Sequence, residues 1–194
     1  MKYYVGADLG TSSLKLLLVD GCGNILNKAT KNYEVAYPAP GWSEQAPESW
    51  WTAFESGIKE LLCSFDSSLV SGIGIGGQMH GLVMLDENDN VIRPALLWND
   101  SRSKEQTDAL NESKDFLLDN TANIAFAGFT LPKLLWVKEN EAENFGRINK
   151  IMLPKDYVAY MLSGSFCTDV SDASGTLYFD VENRSWSKNI LEKY

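Results

Sequence analysis

A carboxylate, a glycine and three hydroxyl residues stand together at Asp8-Leu-Gly-Thr-Ser-Ser13, with Lys15 just beyond. If a strand ends near Asp8, Gly10 lets the backbone turn sharply. Thr11, Ser12 and Ser13 then offer hydroxyls and successive N–H groups to phosphate oxygens, and Lys15 joins the candidate phosphate-binding residues. The Asp8 carboxylate suits a water-coated Mg²⁺. The same residues also serve as ordinary turn formers of a hairpin.

Two further segments offer chemistry. Gln78-Met79-His80 closes an apolar strand with an amide, a thioether and an imidazole, a set suited to the rim of a cleft for a polyhydroxylated ligand. Trp98-Asn99-Asp100 offers an indole face for a sugar ring and two polar groups for its hydroxyls. The bland alternatives are a core histidine beside a filler methionine, and a core tryptophan followed by an Asp100 or Ser101 helix cap. Gly72-Ile-Gly-Ile-Gly-Gly77 matches the letters of a dinucleotide fingerprint. Its context is wrong, because Gln78 to Gly81 leads into another apolar strand rather than a helix. These glycines instead suit close approach of another segment to a sheet. No Walker motif occurs, and His80 is the single histidine, which leaves a Ser-His-Asp triad or a histidine metal site without company.

Positioning these groups falls to a regular pattern of elements. Strands are predicted at 3–9, 14–19 and 25–35, a three-stranded antiparallel meander. An amphipathic helix follows over about 47–62, opened by Pro47. A Gly-rich strand near 70–77, a strand at 82–85, a hairpin across 86–90 and a strand at 95–98 come next. Helices are predicted near 101–110, 131–140 and 154–163, and 169–176 reads as a polar turn without helical periodicity. One strand inserted after a helix makes this an α/β fold with a mixed sheet.

The 194 residues carry a net charge of -9 with 44% hydrophobic residues, a composition that fits a globular domain with a core rather than a disordered chain. An acidic surface repels phosphodiester backbones and anionic lipid, so neither nucleic acid nor a membrane is the expected partner. No apolar run nears the roughly 18 residues of a membrane span, and Asp8 interrupts any signal-peptide core. Three widely spaced cysteines fit no disulfide framework, so the expected location is the cytoplasm.

Taken in order, Asp8-Leu-Gly-Thr-Ser12, Trp42-Ser-Glu-Gln45, Gly77-Gln-Met-His-Gly81, Leu97-Trp-Asn-Asp-Ser-Arg102, Pro132-Lys-Leu-Leu-Trp136, Leu153-Pro-Lys-Asp-Tyr157 and Ser171-Asp-Ala-Ser-Gly-Thr176 resemble the N-terminal half of the FGGY family of carbohydrate kinases. Within the family the similarity is greatest to kinases of D-xylulose. The resemblance implies a ribonuclease-H-like, actin-like ATPase lobe occupying 1–194 as one domain, with ATP and Mg²⁺ as cofactors. It further implies γ-phosphoryl transfer to the 5-hydroxyl of a ketose, D-xylulose. In that reading Asp8 positions the hydrated Mg²⁺, and Thr11, Ser12, Ser13 and Lys15 cradle phosphates. Gln78, Met79, His80, Trp98, Asn99 and Asp100 line the sugar site.

The family's general base, an aspartate, and its adenine site belong to a later part of the chain, a C-terminal lobe that 1–194 lacks. The chain alone is therefore expected to be inactive, with an exposed apolar surface that promotes self-association. The alternatives are a non-catalytic sugar-binding or sensor module, a kinase of another pentulose such as ribulose, or half of a chaperone-like ATPase.

Overall fold

The computed structural model describes residues 2–194. Alternation of apolar and polar residues builds three strands, β1 (Tyr3–Leu9), β2 (Ser13–Asp20) and β3 (Ile25–Asn32), joined by two tight hairpins into the predicted meander. The two-residue strand β4 (Glu44–Gln45) precedes α1 (Pro47–Leu61), and β5 (Val70–Gly77) then returns parallel to β1. The four strands run in the order β3-β2-β1-β5, which makes the sheet mixed. Val5, Ala7 and Leu9 of β1 and Leu14, Leu16 and Leu18 of β2 point to one face. There they pack with Trp50, Phe54 and Leu61 of α1 in the main core. Pro47 occupies the first helical turn, where its missing N–H costs nothing.

Strand β5 runs unbroken through Gly77 and leads into a turn and then β6 (Val83–Leu85), as expected for a sheet and not for a dinucleotide fold. Close approach governs only one of its glycines. A Cβ on Gly77 would lie 2.6 Å from the Leu9 Cβ and 2.7 Å from its carbonyl oxygen, whereas Gly74 and Gly76 face open space. Gly77→Ala should therefore strain the β1–β5 pairing at the end that carries the candidate site. A loss of about 1–3 kcal/mol in urea denaturation is expected, and the same change at Gly74 should cost less than that.

The second half is mainly helical. Strand β7 (Ala95–Leu96) pairs with β4, and it is followed by α2 (Lys104–Asn111), α3 (Lys114–Thr121), α4 (Thr130–Asn140) and α5 (Ala142–Gly146). Strand β8 (Lys150–Met152) pairs with β6, and α6 (Pro154–Ser163) starts at a proline as predicted. The one-turn helix α7 (Val170–Ala173), the hairpin β9 (Phe179–Asp180) and β10 (Ser185–Trp186), and α8 (Lys188–Lys193) complete the chain.

Several boundaries depart from the sequence reading. Helix α2 starts three residues later than predicted, because Asp100 and Arg102 are held in an internal ion pair rather than in a cap. The cap expected of Asp100 or Ser101 is absent. Strand β3 stops at Asn32, and the Tyr33 hydroxyl turns back to donate to the Gly10 carbonyl at 2.5 Å. The stretch read as a turn over 169–176 contains α7, whose N-terminus Asp169 caps by accepting from the Asp172 N–H at 3.0 Å. Helices α3, α5 and α8 and strand β8 were not foreseen. No helix among the described residues is long and apolar enough to cross a membrane, and the three cysteines are free.

Candidate functional site

The β1–β2 turn is built from both sides. The Gly10 N–H donates to the Ser13 carbonyl at 3.0 Å, and the Tyr33 N–H donates to the Ser12 carbonyl at 3.1 Å. The Gln45 side-chain amide donates to the Thr11 carbonyl at 2.9 Å and to the Glu34 carbonyl at 2.9 Å. The carbonyls of this turn are thus directed inward. The amides of Thr11 and Ser12 donate to no group among the described residues, which leaves two neighbouring N–H groups for an anion. Burial, followed by the negative charge of Asp8, raises the Tyr33 pKa, so the phenol remains a donor to the turn at all working pH values.

Asp8 and Lys15 are register partners on the exposed face of the sheet, and neither is in an ion pair among the described residues. Beside them Gly6, Gly74 and Gly76 form a floor where an added Cβ would meet nothing within 4 Å. An open carboxylate, an open ammonium, free amides and a floor without side chains are a donor set that fits a Mg²⁺-nucleotide phosphate chain.

The Gln78-Met79-His80 segment leaves the end of β5 next to this turn. The Gln78 N–H donates to the Leu9 carbonyl at 2.7 Å, and its side-chain amide donates to the Gln45 Oε1 at 3.3 Å. Gln45 also accepts from the Trp50 indole at 2.8 Å, so one buried amide joins the turn, α1 and the Gln78 segment. Met79 is half exposed at the tip. His80 lies in the left-handed region with φ 62°, and the Gly81 N–H closes a three-residue turn on the Met79 carbonyl at 2.8 Å. Its imidazole packs on Phe129, with ring centroids 4.7 Å apart, and on the Gly175 backbone, where a Cβ would come within 2.1 Å of Cε1.

Burial, followed by the charge of Lys133, lowers the His80 pKa below 6.5, against the opposing pull of Asp172 and the Gly175 backbone. The imidazole is therefore neutral at neutral pH. The sign follows: whatever stability the neutral ring contributes is present above pH 6.5 and lost as pH falls through the folded midpoint. Because His80 is the single histidine, its Cε1–H resonance is unambiguous in proton NMR. Its titration midpoint is expected below 6.5, and a midpoint above 6.5 would contradict this packing.

Trp98 comes to the same β1–β2 turn from the end of β7. Its side chain is 47% exposed, and its indole N–H donates to the Thr11 hydroxyl at 3.0 Å. Asn99 is exposed beside it. Asp100 is not on the rim. It is 1% exposed, and its oxygens accept from the Ser43 N–H at 2.7 Å and from the Arg102 guanidinium at 2.7–3.0 Å, leaving no face open to a sugar hydroxyl. Its sequence-based assignment to the substrate is corrected to support of the turn behind Trp98. Arg102 also reaches Glu44 at 2.7 Å and lies over the Trp42 ring at 3.8 Å. Gln45, Arg102 and Lys133 are the site-building residues that motif reasoning did not single out. Their sequence signal is that they lie within the family-resembling segments Trp42–Gln45, Leu97–Arg102 and Pro132–Trp136.

A concavity of about 1090 Å³ lies elsewhere, between α4, β8 and the C-terminal hairpin, and it is lined by Leu134, Phe145, Ile151, Trp186 and Ile190. It holds none of the groups above.

Over residues 3–194 the chain matches the FGGY family of carbohydrate kinases, N-terminal domain. A xylulose kinase of Lactococcus lactis is 46% identical over all of this chain and 39% of its own length. The Escherichia coli xylulose kinase is 42% identical over 97% of this chain and 39% of its own. The crystal structure of a "xyloylose kinase" from Brucella ovis superposes with a TM-score of 0.95 at 44% identity, covering 98% of this chain and 40% of that one. The chain thus spans about 40% of the length of the relatives it matches.

Proposed function

The chain belongs to the FGGY family of carbohydrate kinases, and from that premise we propose that, within a protein of its relatives' length, it serves transfer of the ATP γ-phosphoryl to the 5-hydroxyl of D-xylulose in the cytoplasm. The observation that carries the reading is the 3.0 Å hydrogen bond from the Trp98 indole to the Thr11 hydroxyl, which sets the residue read as the sugar wall beside the turn read as the phosphate site. A phosphoryl donor and an acceptor hydroxyl must meet in line, and such transfer depends chiefly on positioning and charge neutralisation. Mg²⁺-ATP supplies the phosphoryl group and the divalent charge that offsets its oxygens.

This chain's residues do the holding. Asp8 would hold the hydrated metal, the Thr11 and Ser12 amides, the Ser13 hydroxyl and the Lys15 ammonium would bind phosphate oxygens, and Gly74 and Gly76 leave room for them. Trp98 offers its ring face to the ketose, while His80 and Asn99 orient its hydroxyls and Met79 flanks it; Gln78, buried and donating to Gln45, supports the turn instead of touching the sugar. Among the described residues Asp100, Asp156, Asp169 and Asp172 all face arginine or lysine partners and Asp8 is given to the metal, so none of these aspartates takes the proton of the 5-hydroxyl.

The test uses the 194-residue chain with D-xylulose, glycerol, ATP and Mg²⁺. D-xylulose should shift the His80 resonance, glycerol should not, and no ADP should form above background. ADP formation would overturn the division of labour, and an unmoved His80 signal would overturn the sugar assignment.

A further inference from the structure

Lys133 lies in the first turn of α4 and is 0% exposed, one of the largest fully buried side chains in the molecule. A buried lysine without a carboxylate partner is unusual and calls for a physical reason. Its Nζ donates to the His80 carbonyl at 2.9 Å and to the Gly128 carbonyl at 2.6 Å. The Thr130 hydroxyl donates to the same His80 carbonyl at 3.2 Å. Both acceptors belong to walls of the cleft. His80 is the strained residue of the turn after β5. Gly128 packs so close to the Trp98 carbonyl that a Cβ there would come within 2.6 Å of it.

We propose that Lys133 is a positioning residue for the sugar side of the cleft, its amine tying the His80 and Gly128 carbonyls together so that the imidazole and the Trp98 indole face each other at a fixed separation. The inference rests on the ketose reading given above. A left-handed, three-residue turn at a β-carbon-bearing residue is strained and persists only where its surroundings over-determine it. Two buried donors on one carbonyl are that over-determination. Without them the 80–81 peptide is free to rotate, and the ring leaves Phe129 and Gly175. Burial pulls the Lys133 pKa down to about 7, with Asp100 raising it and Arg102 lowering it further. Even the neutral amine keeps two protons, enough for both carbonyls.

The experiment follows His80 by proton NMR in the 194-residue chain, free and with D-xylulose. The charged groups facing the imidazole are Lys133 and Asp172. In Lys133→Met, followed at a pH where the ring is neutral, the free-protein resonance should move to a solvent-like position and the response to D-xylulose should weaken about tenfold or more. Thr130→Val, which removes only the second donor at nearly constant volume, should shift His80 the same way by less, and it decides the matter if Lys133→Met does not fold. A purely structural lysine would lower the melting temperature and leave the His80 signal of the folded chain where it was. That result, in whichever variant folds, overturns the proposal. An unmutated chain whose His80 ignores D-xylulose overturns the ketose reading instead, and the free-protein signal of the two variants still scores the positioning.

Discussion

With Arg102 replaced by methionine, the chain is expected to lose about 3–5 kcal/mol of stability, more than any other single polar substitution at this site. The guanidinium side chain is 1% exposed and that of its partner Asp100 0%. It gives Asp100 two hydrogen bonds from Nε and one from Nη2, reaches Glu44, and lies between the Trp42 and Trp136 rings. Arg93 bonds Glu44 and Glu141 alongside, so the cluster holds two cations and three anions. Removing Arg102 leaves the Asp100 carboxylate buried with backbone N–H groups alone, and the cost is the desolvation of an uncompensated charge rather than one lost contact.

The contrast is the exposed pair Lys104–Asp108, whose side chains are 76% and 64% exposed; breaking it should cost no more than about 0.5 kcal/mol. Urea midpoints of the two variants measure the difference. The double change Arg102→Met with Asp100→Leu should recover much of the loss, since it removes the stranded charge. A single variant within about 1 kcal/mol of the parent would contradict the account.

Asp8→Asn carries the second large effect, and it is catalytic. Asp8 is exposed and unpaired among the described residues, on the sheet face opposite the core, so the substitution should leave stability within about 0.5 kcal/mol. In a chimera that joins residues 1–194 to the remaining part of the Lactococcus lactis xylulose kinase, the same change should lower the phosphoryl-transfer rate by about 10²–10³-fold. The metal-bound water would lose its anionic anchor. The Michaelis constant for the ketose should hardly move, because Asp8 faces the phosphate side. His80→Ala should do the reverse, raising the ketose constant and sparing the ATP constant. A chimera in which both changes act alike would argue against two separate half-sites.

The meander was legible because short apolar runs are separated by the polar turn Thr11–Ser13 and the glycine turn Gly21–Asn24, and α1 because Pro47 and the Trp50–Phe54–Leu61 stripe mark its start and its inner face. The adjacency of the Thr11 turn, His80 and Trp98 was legible only through the family resemblance, since residues so far apart in sequence carry no local sign of meeting. Helix α3 escaped because just Leu117 and Thr121 are buried on it, too few to make a period. Strand β8 escaped because three residues pairing with a partner more than sixty positions earlier leave no mark in a local window. Asp100 misled for a related reason. Asn-Asp after a tryptophan looks like a sugar rim, and the partners that turn Asp100 inward are Ser43 and a guanidinium folded back from two residues on. Lys133 was read as an ordinary helix residue, because a lysine in a helix is nearly always solvated.

The central claim is that residues 1–194 contribute the phosphate turn and the ketose wall of a pentulose kinase. ADP release by the purified chimera, measured with and without D-xylulose at saturating Mg²⁺-ATP, tests it most directly. The expected result is D-xylulose-dependent release that glycerol does not replace and that Asp8→Asn lowers about 10²–10³-fold. A folded chimera that releases ADP equally with and without the ketose, or only with glycerol, would contradict it.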